Sequence, residues 1–567
     1  MHLIGVKGDE PKDRKGAGVD LLTARYSRSN LARNIAVRAD TTTHLWTPFL
    51  NGLDCHLGCR MCCRFRPTGT GRAKSSNRTR AMMERWVWIT LIITAYLGIT
   101  LTIGLLAGRR STNTVDGYVA ADRGFGLLVM YFVTGAMVFS AFAFLGGPGW
   151  AYSRGAAAFY ILAYGALGMA PFYWIGPRAA GLGRRFGYVT QAQLVVGRFP
   201  SNHLSALMAL LSLIAFVPYI TLQMEGAGIV IEAVTDGNVP MWLGALVAYG
   251  VVITYVLASG AMAVGWTNTF QGIFMLLIAW TLGLYLPQRL YGGIGPMFEQ
   301  IAEVKPELLI PPGLAMDGGP WTWGAFSTSI IVSVVGLMMW PHFFMKAFTA
   351  RDDDTLRRTV ILFPTFQLFL IPVFLIGFSG VLFPSQPPSA DFILPFMVLE
   401  TQLPALIVGL FCAGALSASM STGDALLHAS ASILVEDGAG RYVQIEDRKK
   451  PLYIKGLVLI IGAIAYCLAI VSDLSLVQLL LASYGIVSQF APTVVAALYW
   501  KRANTIGTLA GLLAGTATSV FFWVYPDLRP WDMHEGVLGL IIHIPTLITF
   551  TLMTPAQDET HIRRFFS

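Results

Sequence analysis

Residues 133–152 read VTGAMVFSAFAFLGGPGWAY, a stretch apolar enough for lipid that still carries Gly135, Ser140, Gly146, Gly147, Pro148 and Gly149. A helix in hydrocarbon must satisfy its own backbone, because lipid offers no hydrogen-bond partners. So many helix-weakening residues in one crossing predict an interrupted helix. Residues 333–348, SVVGLMMWPHFFMKAF, repeat the feature with Gly336 and Pro341. An interior proline removes one backbone hydrogen bond and kinks the helix. Interrupted helices at corresponding places in two halves of a chain are what an inverted repeat produces.

Around these stretches the chain is apolar in blocks. Of 567 residues, 54% are hydrophobic and 13% charged, and the mean hydropathy is +0.59. Soluble chains carry roughly 25% charged residues, so about half the usual charge is missing. Crossing a hydrocarbon layer of about 30 Å takes roughly 20 apolar residues, and blocks of that length recur from Trp86 to Met553. The short alternating segments of a β-barrel are not visible. The expected class is an all-α polytopic membrane protein. Its spans are read at 86–107, 126–152, 156–177, 204–233, 240–259, 265–288, 322–348, 359–383, 403–435, 452–472, 475–499, 505–525 and 535–553. The interrupted stretches fall in the second and seventh, which predicts a five-plus-five core.

The charges test the count. With the first span running from outside to inside, twenty Lys/Arg fall in inner loops and four in outer ones, Arg154, Arg289, Lys305 and Arg529. Cytoplasmic loops concentrate Lys and Arg, and dropping one span would invert every later loop and destroy the bias. Thirteen transmembrane helices are therefore expected in a cytoplasmic (inner) membrane, with the N-terminus outside and the C-terminus cytoplasmic. The lipid bilayer is an implied partner; nothing points to nucleic acid or to an obligate protein partner.

Residues 1–81 stand apart. They are basic and aperiodic, with fifteen Lys/Arg against six Asp/Glu, and hold Cys55, Cys59, Cys62 and Cys63. The C-x3-C-x2-C spacing of the first three suits an iron–sulfur site only ahead of a strand–helix domain, and a membrane span follows instead. The segment is expected to be a disordered basic tail or the product of a start placed upstream of Met82 or Met83. Residues 82–554 then form one transmembrane domain and 555–567 a cytoplasmic tail. Cys412 and Cys467 lie in apolar helices and read as packing residues.

The ninth span, FCAGALSASMSTGDALLHASASILVED at 411–437, places hydroxyls and two ionisable groups inside an apolar helix. A small hard cation such as sodium takes oxygen ligands. Ser421 and Thr422 supply adjacent hydroxyls, and Ala418 lies three residues earlier on the Ser421 side. Such hydroxyls also bond back to their own helix or join helices, so the pair alone leaves both readings open. Asp424 and His428 are four apart and share a face. A buried carboxylate in a membrane helix is expected on an ion path, and His428 reads as a structural polar contact paired with it. Lys346 and Asp352–Asp354 read as interfacial. No zinc motif or Ser/His/Asp set occurs at membrane depth, so an enzyme is not expected.

Several motifs, in order, resemble those of the sodium:solute symporter family, which includes bacterial proline and pantothenate permeases and animal sodium–glucose cotransporters. Ala418-Ser419-Met420-Ser421-Thr422 is similar to the family's sodium-site stretch. GWTNTFQG at 265–272 is similar to its entry to the sixth span, and Trp340-Pro341-His342 with Lys346 to its Pro-His motif. Ala491-Pro492 and Trp500-Lys501-Arg502 match the end of its eleventh span. The similarity runs from about Trp86 to Arg502 and on into the twelfth span.

The resemblance implies a LeuT-type fold, with spans two to eleven as the core, one helix before it and two after. It implies alternating access with sodium as the coupling ion, held by Ala418, Ser421 and Thr422. Aligning Pro148-Gly149 with the Pro-Gly of proline permeases adds the backbone of Ala136 and Phe139. It also implies a pocket for a small organic solute at the unwound second and seventh spans, with Ser140, Phe142, Tyr219, Gln223, Trp340 and His342 as candidates. Proline permeases carry Asp where Val138 and Asn268 stand here, and the first departure argues against a zwitterion. PYITLQMEGAG at 218–228 looks most like the monocarboxylate and pantothenate permeases. A monocarboxylate is the expected solute; pantothenate, an amino acid, a sugar, or proton coupling are the alternatives.

Overall fold

The computed structural model describes residues 71–109, 114–443, 445–471 and 476–566. The chain divides into Met1–Ser75 and Ser76–Ser567, and the architecture below is that of the second unit. The expectations for residues 1–70, the four N-terminal cysteines included, lie outside the described residues. Among the described residues no β-strand occurs, only two isolated bridges.

By length and composition eight helices can cross a membrane, or ten if each of two bent pairs is one crossing. Packing shows where that count merges crossings. The helix Met241–Tyr291 contains Gly260 at φ 53°, ψ −136°. On one side of it Tyr255 donates to Asp424 Oδ2 (2.8 Å), and on the other Thr267 donates to the same oxygen (3.3 Å). The two arms therefore run antiparallel along the ninth span. They are the expected fifth and sixth spans, joined by one glycine instead of a loop. Glycine alone adopts this backbone cheaply, and a Cβ there would also strike the Tyr118 carbonyl.

A second reversal lies at Gly155 (φ 60°). Before it Gly147 lies against Phe374; after it Phe159 returns to Phe374 and Phe378, with ring centroids 5.8 and 6.3 Å apart. Further on, Arg184 pairs with Asp353. Gly147–Arg154 and the helices Phe159–Leu167 and Phe172–Phe186 thus run in opposite directions along Asp353–Gln367 and Leu370–Ser379. Leu476–Val487 and Phe490–Tyr499 supply the eleventh span, and with these the described helices account for the thirteen expected crossings.

The ninth span, Ala405–Ile433, is the axis. Every residue from Phe411 to Ile433 is buried, which suits a helix apolar all round. It packs on the second, fourth, fifth, sixth and tenth spans. The periphery is the reverse: Leu459, Ile460 and Ile464 on the tenth and Ile541, Ile542 and Ile544 on the thirteenth are exposed. Exposed Trp86, Trp88, Trp242, Trp323 and Trp523 stand near span ends, where amphipathic rings suit the membrane interface.

Both expected interruptions are present. Leu127–Val138 stops at Phe139 (φ −87°, ψ 69°), and the chain resumes through a π-helical turn, Phe142–Gly146, bent by 58°. The glycines and proline at 146–149 are helical: the wide turn just ahead tolerates the donor that Pro148 lacks. In the seventh span, Trp323–Leu337 and Pro341–Phe348 meet at 43°. Trp340 (φ −53°, ψ 121°) takes the extended conformation forced on a residue before proline. Pro341 then opens the next half-helix, where its missing N–H is not needed.

One detail differs from expectation. Lys346 is only 6% exposed and not interfacial, because the second half-helix carries it inward. Within the C-terminal tail, the helix Glu559–Phe566 lays Phe565 on Phe186. Asp352 caps Asp353–Gln367 by accepting the Thr355 N–H at 2.7 Å.

Candidate ion and solute site

The last carbonyls of a helix have no intrahelical donor, and at the second-span break they face the ninth span. Phe139 N–H takes the Gly135 carbonyl (3.3 Å). Ser421 Oγ donates to the Ala136 carbonyl (3.0 Å) and lies 3.2 Å from the Ala418 carbonyl; Thr422 Oγ1 donates to the Met137 carbonyl (2.9 Å). All five residues are buried. Two hydroxyls and three carbonyls thus converge where the negative end of a half-helix dipole points. This hard-oxygen set fits sodium, and discontinuous helices hold such ions in this way.

Of the expected sodium ligands, the structure brings Ala136, Ala418, Ser421 and Thr422 together. Thr422 meets the Met137 carbonyl, and the Phe139 ring packs on Phe366 and Phe369 at 5.3 and 4.5 Å.

Around this point the ninth span is braced. Asn268 Nδ2 donates to the Ser421 carbonyl (2.8 Å), Tyr249 Oη lies 3.2 Å from Ser419 Oγ, and Ser419 Oγ donates to the Gln223 carbonyl (2.6 Å). Asp424 is fully buried; Oδ2 accepts from Tyr255 and Thr267, and Oδ1 has no hydrogen-bond partner. His428 does not pair with it. His428 Nε2 lies 2.9 Å from the Tyr118 carbonyl, so that nitrogen carries the proton. Sharing a face did not join the two because Tyr255 and Thr267 engage Asp424 while the Tyr118 carbonyl engages His428.

The solute candidates divide between the two breaks. At the second span, Gln223 Oε1 accepts the Ala141 N–H (2.9 Å) and Ser140 Oγ accepts the Phe142 N–H (3.2 Å). At the seventh, Trp340 lies 4.9 Å from Tyr219 and 5.6 Å from His342, ring to ring. Tyr219 and Gln223 are one turn apart, so one face of the fourth span touches both breaks. Phe216, 6.1 Å from Trp340, and Tyr484, 5.6 Å from it, complete the cage. Sequence reasoning missed both, since a ring in an apolar helix carries no signal. Both His342 nitrogens are buried without hydrogen-bond partners. Each such group costs about 1–3 kcal/mol.

An all-helical membrane chain with two half-helices meeting at an oxygen site belongs to the class of carriers that couple an ion to a solute. Residues 118–515 match the sodium:solute symporter family, and the chain belongs to that family, whose members are transporters and not enzymes, with sodium as the coupling ion. It is 28% identical over 483 residues to the uncharacterized symporter YhjB of Bacillus subtilis, covering 82% of this chain and 96% of that one. It is 28% identical to the sodium/pantothenate symporter of Escherichia coli (75% and 89% covered). To the monocarboxylate transport permease protein of Rhizobium johnstonii it is 24% identical (80% and 94%). The structure of a Na+-coupled sialic acid symporter, substrate-bound and outward-open, superposes with a TM-score of 0.68 at 18% identity. That match covers 83% of this chain and 98% of the other, and it identifies the fold as LeuT-type.

Proposed function

We propose that this chain imports a small organic monocarboxylate with sodium by alternating access across the cytoplasmic membrane. One observation carries the reading: the Ser421 and Thr422 hydroxyls of an unbroken helix meet the Ala136 and Met137 carbonyls of a broken one. Sodium bound there ties the second span to the ninth and orders the break that also presents Ser140, Ala141 and Gln223. Solute binding and ion binding then draw on the same segment. One charge moving through 100 mV supplies about 2.3 kcal/mol, roughly a fifty-fold solute gradient.

The solute class is supported by the cage and by relatives. Aromatic rings of Tyr219, Trp340 and Phe216 favour a small apolar body, and His342 and Gln223 supply neutral polar contacts. Half-helix N-termini hold a carboxylate without an arginine. The relatives named for monocarboxylates and pantothenate share a carboxylate-bearing solute, and pantothenate is the second reading. The twenty-to-four loop bias supports an outer N-terminus and a cytoplasmic C-terminus, with 82–554 as the transport domain.

Proteoliposomes with an inward sodium gradient test this. Uptake of radiolabelled acetate, pyruvate, lactate or pantothenate that collapses when the gradient is dissipated is expected. No sodium-dependent uptake of any of the four contradicts the proposal.

A further inference from the structure

The second span ends at Arg154, at the end of the molecule opposite the Arg184–Asp353 pair, which is the outer end in the orientation proposed above. A loop between the sixth and seventh spans folds over it. Gly313 (φ 92°) and Gly318 (φ 85°) turn this loop, and the Trp321 N–H donates to the Gly313 carbonyl (2.8 Å). The Leu314 N–H donates to the Arg154 carbonyl (3.1 Å), and Arg154 Nε donates in return to the Leu314 carbonyl (2.6 Å). Arg154 is only 5% exposed. Its guanidinium lies 3.7 Å from the ring centroid of Trp150 and 4.6 Å from that of Trp321, with Nη1 3.7 Å from the Met316 sulfur. Among the described residues no carboxylate forms an ion pair with it. Asp317, on the same loop, acts on it from farther off, while Asp317 Oδ1 accepts the Gly319 N–H (3.0 Å).

A carbonyl and two ring faces position a cation without neutralising it, and a buried charge stays costly until an opposite charge meets it. A guanidinium takes a carboxylate through two parallel hydrogen bonds. From this point a series of rings leads inward. Trp150 and Trp321 lie 5.2 and 5.8 Å from Tyr160, centroid to centroid, and Tyr160 lies 5.5 Å from Tyr164. Tyr164 is 6.0 Å from Tyr484, which is 5.6 Å from Trp340 of the cage. We propose that Arg154 captures the carboxylate of the incoming solute at the mouth of a ring-lined route to the Trp340 cage. That the solute carries a carboxylate rests on the monocarboxylate reading above. The carboxylate takes the place of the Leu314 carbonyl on the guanidinium, which releases the loop from the end of the second span. The apolar body of the solute then passes along the rings.

Saturation-transfer difference NMR on the full chain in detergent, in sodium-free choline buffer with lactate or neutral lactamide as the probe, tests the proposal. Lactate is expected to bind, and lactamide much more weakly. Arg154→Gln should weaken lactate by at least about ten-fold, the loss of one charge-assisted hydrogen bond. Arg154→Lys keeps the charge and should lie between the two. Asp317→Asn keeps the acceptor for the Gly319 N–H and removes a negative charge that opposes the ligand. Lactate should bind it roughly two- to three-fold more tightly, a gain that a merely structural Arg154 would not produce. Arg289→Gln, at an exposed arginine elsewhere, should bind as the wild type does. Equal signals from lactate and lactamide overturn the proposal. So does undiminished lactate binding in Arg154→Gln, an equal loss in Arg289→Gln, or no gain in Asp317→Asn. Lactate binding that follows these variants, in a chain whose proteoliposomes show no sodium-dependent lactate uptake, supports the capture site and counts against monocarboxylate import instead.

Discussion

The break in the second span and the break in the seventh are built from opposite materials. At the second, the polar groups close on one another: Ser421 on Ala136, Thr422 on Met137, Gln223 on Ala141, each at 2.9 to 3.0 Å. At the seventh, rings close around His342, and its nitrogens meet nothing. A small cation gains most from backbone and hydroxyl oxygens already gathered in one place. An organic solute gains most from apolar area with a few polar contacts left to make. The fourth span joins the two through Gln223 and Tyr219, so the sites stay chemically distinct but mechanically linked.

The contrast breaks first at the hydroxyls. Ser421→Ala/Thr422→Ala removes two ligand oxygens at about 1.5 kcal/mol each. Apparent sodium affinity in uptake should therefore fall by more than about a hundred-fold, with Thr422→Ser close to wild type. Full sodium dependence in the double variant would sink the assignment. Gln223→Leu strips the acceptor from the buried Ala141 N–H, at a cost of about 1–3 kcal/mol. It should lower the unfolding midpoint and impair ion and solute steps together; an effect on one alone would show the sites are not linked through the fourth span. His342→Phe keeps a ring and deletes both nitrogens. Solute affinity should fall about ten-fold, near one hydrogen bond's worth, with sodium affinity unchanged. The smallest effect lies outside the contrast. Hydrogen bonds from Thr355 hold the Asp352 carboxyl down at about 2 from its usual 3.8. Its cap therefore stabilises the helix above pH 3.8 and is lost as pH falls toward 2. Asp352→Ala should cost at most about 1 kcal/mol at neutral pH, read as a small midpoint shift that vanishes in acid.

Much of this was legible in the sequence because prolines, glycines and buried hydroxyls announce themselves. Pro341 forces Trp340 out of helix locally, so the seventh break needs no tertiary information. Ser421 and Thr422 stand out in an apolar helix. The partner carbonyl did not: whether Met137 or Phe139 faces Thr422 depends on backbone angles at the break. Gly260 reads as one glycine among many until Tyr255 and Thr267 are seen on the same Asp424 oxygen. Lys346 and His428 resemble surface and pair residues respectively, yet burial and the Tyr118 carbonyl decide their surroundings. Tertiary partners, not local pattern, fix each of these.

Direct binding of radioactive sodium to the purified chain in detergent tests the central claim without knowledge of the solute. Saturable binding is predicted for the wild type and for His342→Phe, and its loss is predicted for Ser421→Ala/Thr422→Ala. Unchanged sodium binding in that double variant would contradict a site built from the second-span carbonyls and the ninth-span hydroxyls.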